Sequence, residues 1–146
     1  MADWRGRWLQ EAQLHASFSK DPSTKVGAVI VGGDQIPVST GWNGFPRGYP
    51  DTPELLNDRT KKLPLTIHAE LNAILNAARK GRSTEGCSLY CTHVPCSLCA
   101  PPIVQAGIVE VIVPVGENPD YDSRWFESYQ FSIQLFKDTH VTLLRV

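Results

Sequence analysis

No apolar run in this 146-residue sequence is long enough to cross a bilayer, and residues 1–10, which include Trp4, Arg5, Arg7 and Trp8, hold no continuous apolar stretch of the signal-peptide type. A soluble, intracellular protein with a cytoplasmic location is expected. A surplus of positive charge is missing too: 14 Lys and Arg against 15 Asp and Glu leave a formal net charge of -1. Without a basic excess to grip long phosphate backbones, neither nucleic acid nor a membrane surface is an expected partner, which favours a small molecule. There is no internal repeat and no low-complexity segment. Cysteine is absent outside residues 87–99, where all four fall. That crowding suits a metal site in a reducing compartment better than a disulfide frame joining distant loops. At this length one domain spanning residues 1–146 is expected.

What is present alternates between strand and helix patterns. Residues 4–17, with Leu9, Ala12, Leu14 and Ala16, predict a helix that Asp21-Pro22-Ser23 ends. The β-branched run at 26–31, the turn residues Gly32-Gly33-Asp34 and the return at 38–42 predict a hairpin. Residues 44–63, rich in Pro, Gly and charge, predict a long loop with one helical turn near Leu55. Leu71, Ile74, Leu75 and Ala78 recur at helical spacing, with Thr66 as N-cap and Gly81 as stop. Further on come a strand at 88–91, a helix at 96–106 that must accommodate Pro101-Pro102, and a strand at 109–113. A loop at 118–122, a helix at 125–136 and a strand at 141–146 complete the pattern. The helix between the last two strands implies that they run parallel through a right-handed crossover. Phe126, Tyr129, Ile133 and Phe136 share one helical face and are read as core or subunit interface.

Three fragments carry chemistry: His68-Ala69-Glu70, Leu89-Tyr90-Cys91 and Pro95-Cys96-Ser97-Leu98-Cys99. Zinc takes imidazole and thiolate ligands tetrahedrally, and a catalytic site keeps one position open for water. His68, Cys96 and Cys99 supply three ligands and leave that position free. At helix starts, unpaired N–H groups and the positive end of the dipole favour thiolates. Residues two apart do not share a helical face, so His68 and Glu70 can serve one site only from an opening turn. The residue three after Thr66 is Ala69, so no capping box engages Glu70. A zinc-bound water has its pKa lowered to about 7, and an unligated carboxylate beside it can take its proton and deliver it to a ring nitrogen and a leaving amine. Deamination of an aminopyrimidine or aminopurine follows from this set. A four-cysteine structural site is disfavoured, because Cys87 and Cys91 bracket a strand spanning roughly 13 Å; both are read as small buried apolar residues. His15, His93 and His140 receive no role.

H-x-E paired with P-C-x-x-C is the signature of zinc nucleobase deaminases. Within that group the chain resembles the deoxycytidylate (dCMP) deaminases, through Asp21-Pro22-Ser23-Thr24-Lys25-Val26-Gly27-Ala28, Gly41-Trp42-Asn43-Gly44-Phe45-Pro46-Arg47-Gly48, His68-Ala69-Glu70-Leu71-Asn72-Ala73 and Leu89-Tyr90-Cys91-Thr92. The likeness runs over residues 20–113. It implies an α/β fold of the cytidine-deaminase type, three α-β-α layers around a mixed five-stranded sheet. It also implies hydrolysis of dCMP to dUMP and ammonia, which supplies the precursor of dTMP, with one Zn2+ per chain. A homo-oligomer, usually a hexamer, activated by dCTP and inhibited by dTTP, is implied as well, with Mg2+ accompanying the effector. The resemblance gives Asn43 to the substrate sugar, Ala69 to the substrate, and Gly44, Phe45 and Arg47 to the effector site. Thr24 and Lys25 are candidates for the substrate phosphate, since a hydroxyl and an ammonium beside a glycine are suitable donors. Tyr121 is a candidate to close over a pyrimidine.

Two features depart from the family pattern. Ala100-Pro101-Pro102 follows the second cysteine, and residues 48–68 are short beside members that carry an additional zinc there, so no second metal is expected. The alternatives are a deaminase of the same fold acting on tRNA adenosine or a riboflavin precursor, and a catalytically silent zinc-stabilised nucleotide-binding protein. The tRNA enzymes usually have Glu where this chain has Val94, and a silent scaffold needs no unligated Glu70.

Overall fold

The computed structural model describes residues 3–116 and 124–146. In chain order the elements are α1 (Trp4–Ala16), β1 (Gly27–Val31), β2 (Pro37–Trp42), α2 (Pro53–Asn57), α3 (Arg59–Leu65), α4 (Ala69–Arg79), β3 (Ser88–Cys91), α5 (Ala100–Gln105), β4 (Glu110–Val113), α6 (Phe126–Asp138) and β5 (Thr142–Arg145). The strands form one mixed sheet in the order β2-β1-β3-β4-β5. β1 is antiparallel to both neighbours, whereas β3, β4 and β5 run parallel, as the α-helix before the last strand predicts.

β1 is buried at every position, which is why its sequence is apolar throughout instead of alternating. One face of the sheet, with Val29, Val31, Tyr90 and Ile112, packs on Leu9 and Ala12 of α1. The other, with Ala28, Ile30, Leu89, Cys91, Val111 and Val113, packs on α4, α5 and α6 through Ala73, Ile103 and Phe136. The result is the three-layer α-β-α arrangement. Two glycines set the helix-to-sheet spacing. A Cβ on Gly27 would lie 2.0 Å from the Ala12 carbonyl oxygen, and one on Gly41 would lie 2.5 Å from that of Ala69. Any side chain at Gly41 would lift the first turn of α4 off the sheet, and with it the residues that follow His68.

The structure corrects three expectations. Residues 44–63 are not a loop with a single turn. They hold two short helices, because Thr52 and Asp58 each cap a helix through their side chains, at the Leu55 and Lys61 amides. Thr66 is not the N-cap of α4. It closes α3, its hydroxyl donating to the Lys62 carbonyl at 2.8 Å, and Ile67 is drawn into an antiparallel bridge with Gly44, so that His68 becomes the N-cap. The helix expected at 96–106 is shorter, beginning at Ala100 after a turn at 97–99; Pro101 and Pro102 sit in its opening turn, where N–H groups have no helical acceptor. Gly81 ends α4 as expected, with a left-handed φ of 68° and the Arg82 amide returning to the Ala77 carbonyl.

Candidate active site

Two chain turns converge at the end of the sheet. At the first, His68 is extended (φ -69°, ψ 155°) and makes no side-chain capping bond, so its imidazole is free to turn inward. At the second, the Cys99 and Ala100 amides both donate to the Cys96 carbonyl, which folds Cys96 and Cys99 onto the same side. The His68 Nδ1 lies 3.3 Å from each sulfur. The ligand atoms of His68, Cys96 and Cys99 all lie within 4.8 Å of one another. A tetrahedral zinc with ordinary bond lengths would set nitrogen and sulfur about 3.6 Å apart, so the donor set fits that ion with little adjustment.

The electrostatics of the three groups interlock. The Cys99 thiol donates toward Cys96 and, with the His68 imidazole, holds Cys96 down to about 4 against the cost of burial. Cys99 is pushed up, first by facing that thiolate, then by burial and by the Glu70 carboxylate. The Cys96 sulfur raises His68 above the ordinary imidazole value, although burial opposes it. A metal ion at this point would displace the proton that the sulfurs share.

Glu70, in the first turn of α4, is only 4% exposed. Its Oε1 lies 2.8 Å from the Cys91 sulfur at the end of β3. Burial and the Glu70 carboxylate push the Cys91 thiol well above its usual range, so it stays protonated and donates. Cys91 is buried in the core, as its sequence suggested, and its thiol is in addition a hydrogen-bond donor.

A cavity of about 450 Å³ opens over these groups, lined among others by Thr24, Asn43, His68, Ala69, Glu70 and Cys96. The chain matches the family described as the cytidine and deoxycytidylate deaminase zinc-binding region over residues 2–115. It is 44% identical to the deaminase of the luxG 3′ region of Aliivibrio fischeri over 141 residues, 97% of this chain and 92% of the relative. It is 43% identical to the deoxycytidylate deaminase of Mus musculus over 117 residues, 75% of this chain, and spans 64% of that protein's length. The dCMP deaminase of cyanophage S-TIM5, solved in complex with dCMP and dUMP, superposes with a TM-score of 0.79 at 26% identity, covering 100% of this chain and 98% of the other.

The chain belongs to the cytidine and deoxycytidylate deaminase family.

It is thus an enzyme of the deaminase class, and its His/Cys/Cys group stands where this family's zinc-binding region is matched. The other residues singled out in the sequence divide into three groups. Thr24, Asn43 and Ala69 line the cavity. The side chain of Asn43 makes two bonds to backbone: its Oδ1 accepts from the Val26 amide and its Nδ2 donates to the Thr24 carbonyl, both at 2.9 Å, which leaves one donor and one acceptor position of the amide for other partners. It fixes the loop that carries Thr24. Lys25 points elsewhere, its ammonium donating to the Ser19 carbonyl. Gly44, Phe45 and Arg47 stand beside the deaminase cavity, not in its lining. Gly44 pairs with Ile67, Phe45 meets Tyr49 edge-on at 6.1 Å between ring centres, and Arg47 donates to Asn76 at 2.9 Å. Tyr121 lies outside the described residues.

Sequence reasoning missed the cationic and aromatic wall of the cavity: Asn57, Arg59, Lys62, Arg124, Trp125 and Tyr129. Lys62 is buried and donates to Asp21 at 3.0 Å and to Ser23 at 3.2 Å, tying α3 to the loop at 21–24. Burial opposes the charge on Asp21, but the Ser23 and Thr24 amides and the Lys62 ammonium together hold its carboxyl below the ordinary value. No local motif marks these residues, which come from two short helices, the two residues before α6 and its first turn. Only Tyr129 was visible beforehand, on an apolar face that packs against the core and also reaches the cavity.

Proposed function

We propose that this enzyme hydrolyses dCMP to dUMP and ammonia, with Glu70 as the proton carrier and His68, Cys96 and Cys99 holding one zinc ion. The observation that carries this reading is the buried, unligated Glu70 carboxylate beside a three-donor metal set at the floor of a cavity whose wall bears Arg59, Lys62 and Arg124. A bound zinc supplies Lewis-acid activation of water. Glu70 takes one proton from the attacking water and places it on the pyrimidine ring nitrogen, then carries the water's second proton, from the hydroxyl now on the ring carbon, to the exocyclic amine as the carbon–nitrogen bond breaks and the ring carbonyl forms. One water is consumed and one ammonia leaves. Ala69 opens α4, where first-turn amides have no acceptor within the helix and suit the ring carbonyl oxygen.

The 5′-phosphate lies against Arg59, Arg124, Asn57 and Thr24, which line the same cavity; guanidinium groups match phosphate oxygens in pairs. Asp21 balances Lys62, so the net positive charge of this wall rests on the two arginines. Lys25 has no part in this reading. Trp125 and Tyr129 form the apolar side against which the base and sugar lie. The cyanophage relative solved with dCMP and dUMP supports the substrate assignment.

Regulation by dCTP as activator and dTTP as inhibitor, with Mg2+, in a homo-hexamer is proposed on the family likeness, with Gly44, Phe45 and Arg47 at the effector site. The Gly44–Ile67 pairing supports it, since that bridge ends one residue before His68 and gives effector binding a short path to the metal ligand.

Ammonia release from dCMP, cytidine and a tRNA anticodon stem tests the assignment. Turnover is expected with dCMP, weak turnover with cytidine, and none with the RNA. Release from the RNA alone would overturn it. Indifference of the rate to both dCTP and dTTP in the presence of magnesium would remove the regulatory part.

A further inference from the structure

Glu70 has three rotatable bonds and a charge that is 4% exposed, and a carboxylate so placed needs donors to hold it. β3 meets that need at its last residue. Alternation along the strand turns Tyr90 toward α1 and turns Leu89 and Cys91 toward α4. Cys91 is fully buried, paired in register with Ala28 of β1, and its sulfur stands 2.8 Å from Glu70 Oε1. The Cys99 thiol also reaches Glu70, but Cys99 belongs to the candidate ligand group and would give up its proton to a bound ion. The Cys91 thiol lies outside the ligand group, and it faces the Glu70 carboxylate from the buried end of β3.

We propose that Cys91 is a positioning residue: its S–H donates to Glu70 Oε1, pins that oxygen against the sheet, and leaves Oε2 as the one that moves protons at the substrate. This deepens the proposed reaction and rests on it. An alanine or a valine at 91 would leave the backbone in place but Glu70 free to rotate, whereas serine would keep a donor on the same Cβ.

The test joins kinetics to vibrational spectroscopy. With the zinc-loaded enzyme, Cys91→Ala and Cys91→Val are expected to lower kcat about tenfold with KM for dCMP and zinc content unchanged, the loss of a modest hydrogen bond to a charged group. Valine also fills the space, so its loss of rate is not a cavity effect. Cys91→Ser is expected to recover most of kcat. In a Cys87→Ala background the zinc-loaded protein retains one thiol, and its S–H stretching band in the Raman spectrum is expected at lowered frequency, rising when Glu70→Ala is added. An unchanged kcat in Cys91→Val, no recovery with serine, or a band indifferent to Glu70 would each overturn the proposal. The band is read without substrate, so a protein that fails to deaminate dCMP would refute the reaction while the spectrum still reports on the bond.

Discussion

At the floor of the cavity, three donor atoms within 4.8 Å of one another sit on two chain turns, and backbone hydrogen bonds at 96–100 hold the sulfurs in place. On the wall, by contrast, α3 and the loop at 21–24 are joined by the Lys62–Asp21 pair, two groups 41 residues apart in sequence. The floor joins two backbone turns that the sheet brings together; the wall joins α3 to a loop through one buried ion pair. The difference separates chemistry from selectivity. Damage to the floor should abolish turnover in a protein that remains folded, while damage to the wall should alter stability or nucleotide affinity and leave the chemistry intact.

Glu70→Gln is expected to be the most damaging change at the floor. Turnover is expected to fall by about 10³-fold or more, with zinc still near one per chain and the melting temperature little changed. Quantifying metal alongside ammonia release checks it, and a variant that turns over normally would sink the proton-carrier role. Exhaustive chelation should likewise remove activity, with recovery when zinc is returned.

On the wall the largest expected effect is on stability. Lys62→Ala leaves the Asp21 carboxylate buried without its ammonium and should cost about 3 kcal/mol, measured by denaturant unfolding of the zinc-loaded protein. Asp21→Asn with Lys62→Met, which removes both charges, should be less damaging than Lys62→Ala alone. Arg59→Ala and Arg124→Ala address selectivity: each should raise KM for dCMP about tenfold without a matching change for unphosphorylated deoxycytidine. Equal effects on both substrates would move the phosphate elsewhere.

The smallest expected effect concerns acid. Because the folded-state pKa of Asp21 lies below its ordinary 3.8, its ionised form favours the folded state. Its contribution is complete above that value and is lost as pH falls through the lower folded value. Unfolding curves from pH 5 downward should show this loss in the parent protein and not in the Asp21→Asn, Lys62→Met variant.

The strands at 26–31 and 88–91 and the α4 periodicity were legible because each is written in neighbouring residues, and the ligand trio because its two fragments, His68-Ala69-Glu70 and Cys96-Ser97-Leu98-Cys99, together form a known signature. Two-sided burial makes β1 uniformly apolar, and zinc chemistry demands sulfur and imidazole at short spacing. Residues 44–63 were less legible: Thr52 and Asp58 act as caps only when the helices they start find something to cover, and Pro and Gly around them read equally well as loop. Cys91 illustrates the limit best. Its hydrophobic surroundings were readable from the strand, but its partner was not, since Glu70 is 21 residues away and reaches it only because Gly41 lets α4 lie close on the sheet.

From the chain alone follow the α/β alternation and the His/Cys/Cys donor group, which depend on residue type and on the pattern within each segment. Folding alone decided which charges line the cavity, that Lys62 is paired with Asp21, and which thiol meets Glu70. Those are distances between segments remote in sequence, and packing of helices on a sheet is what sets them.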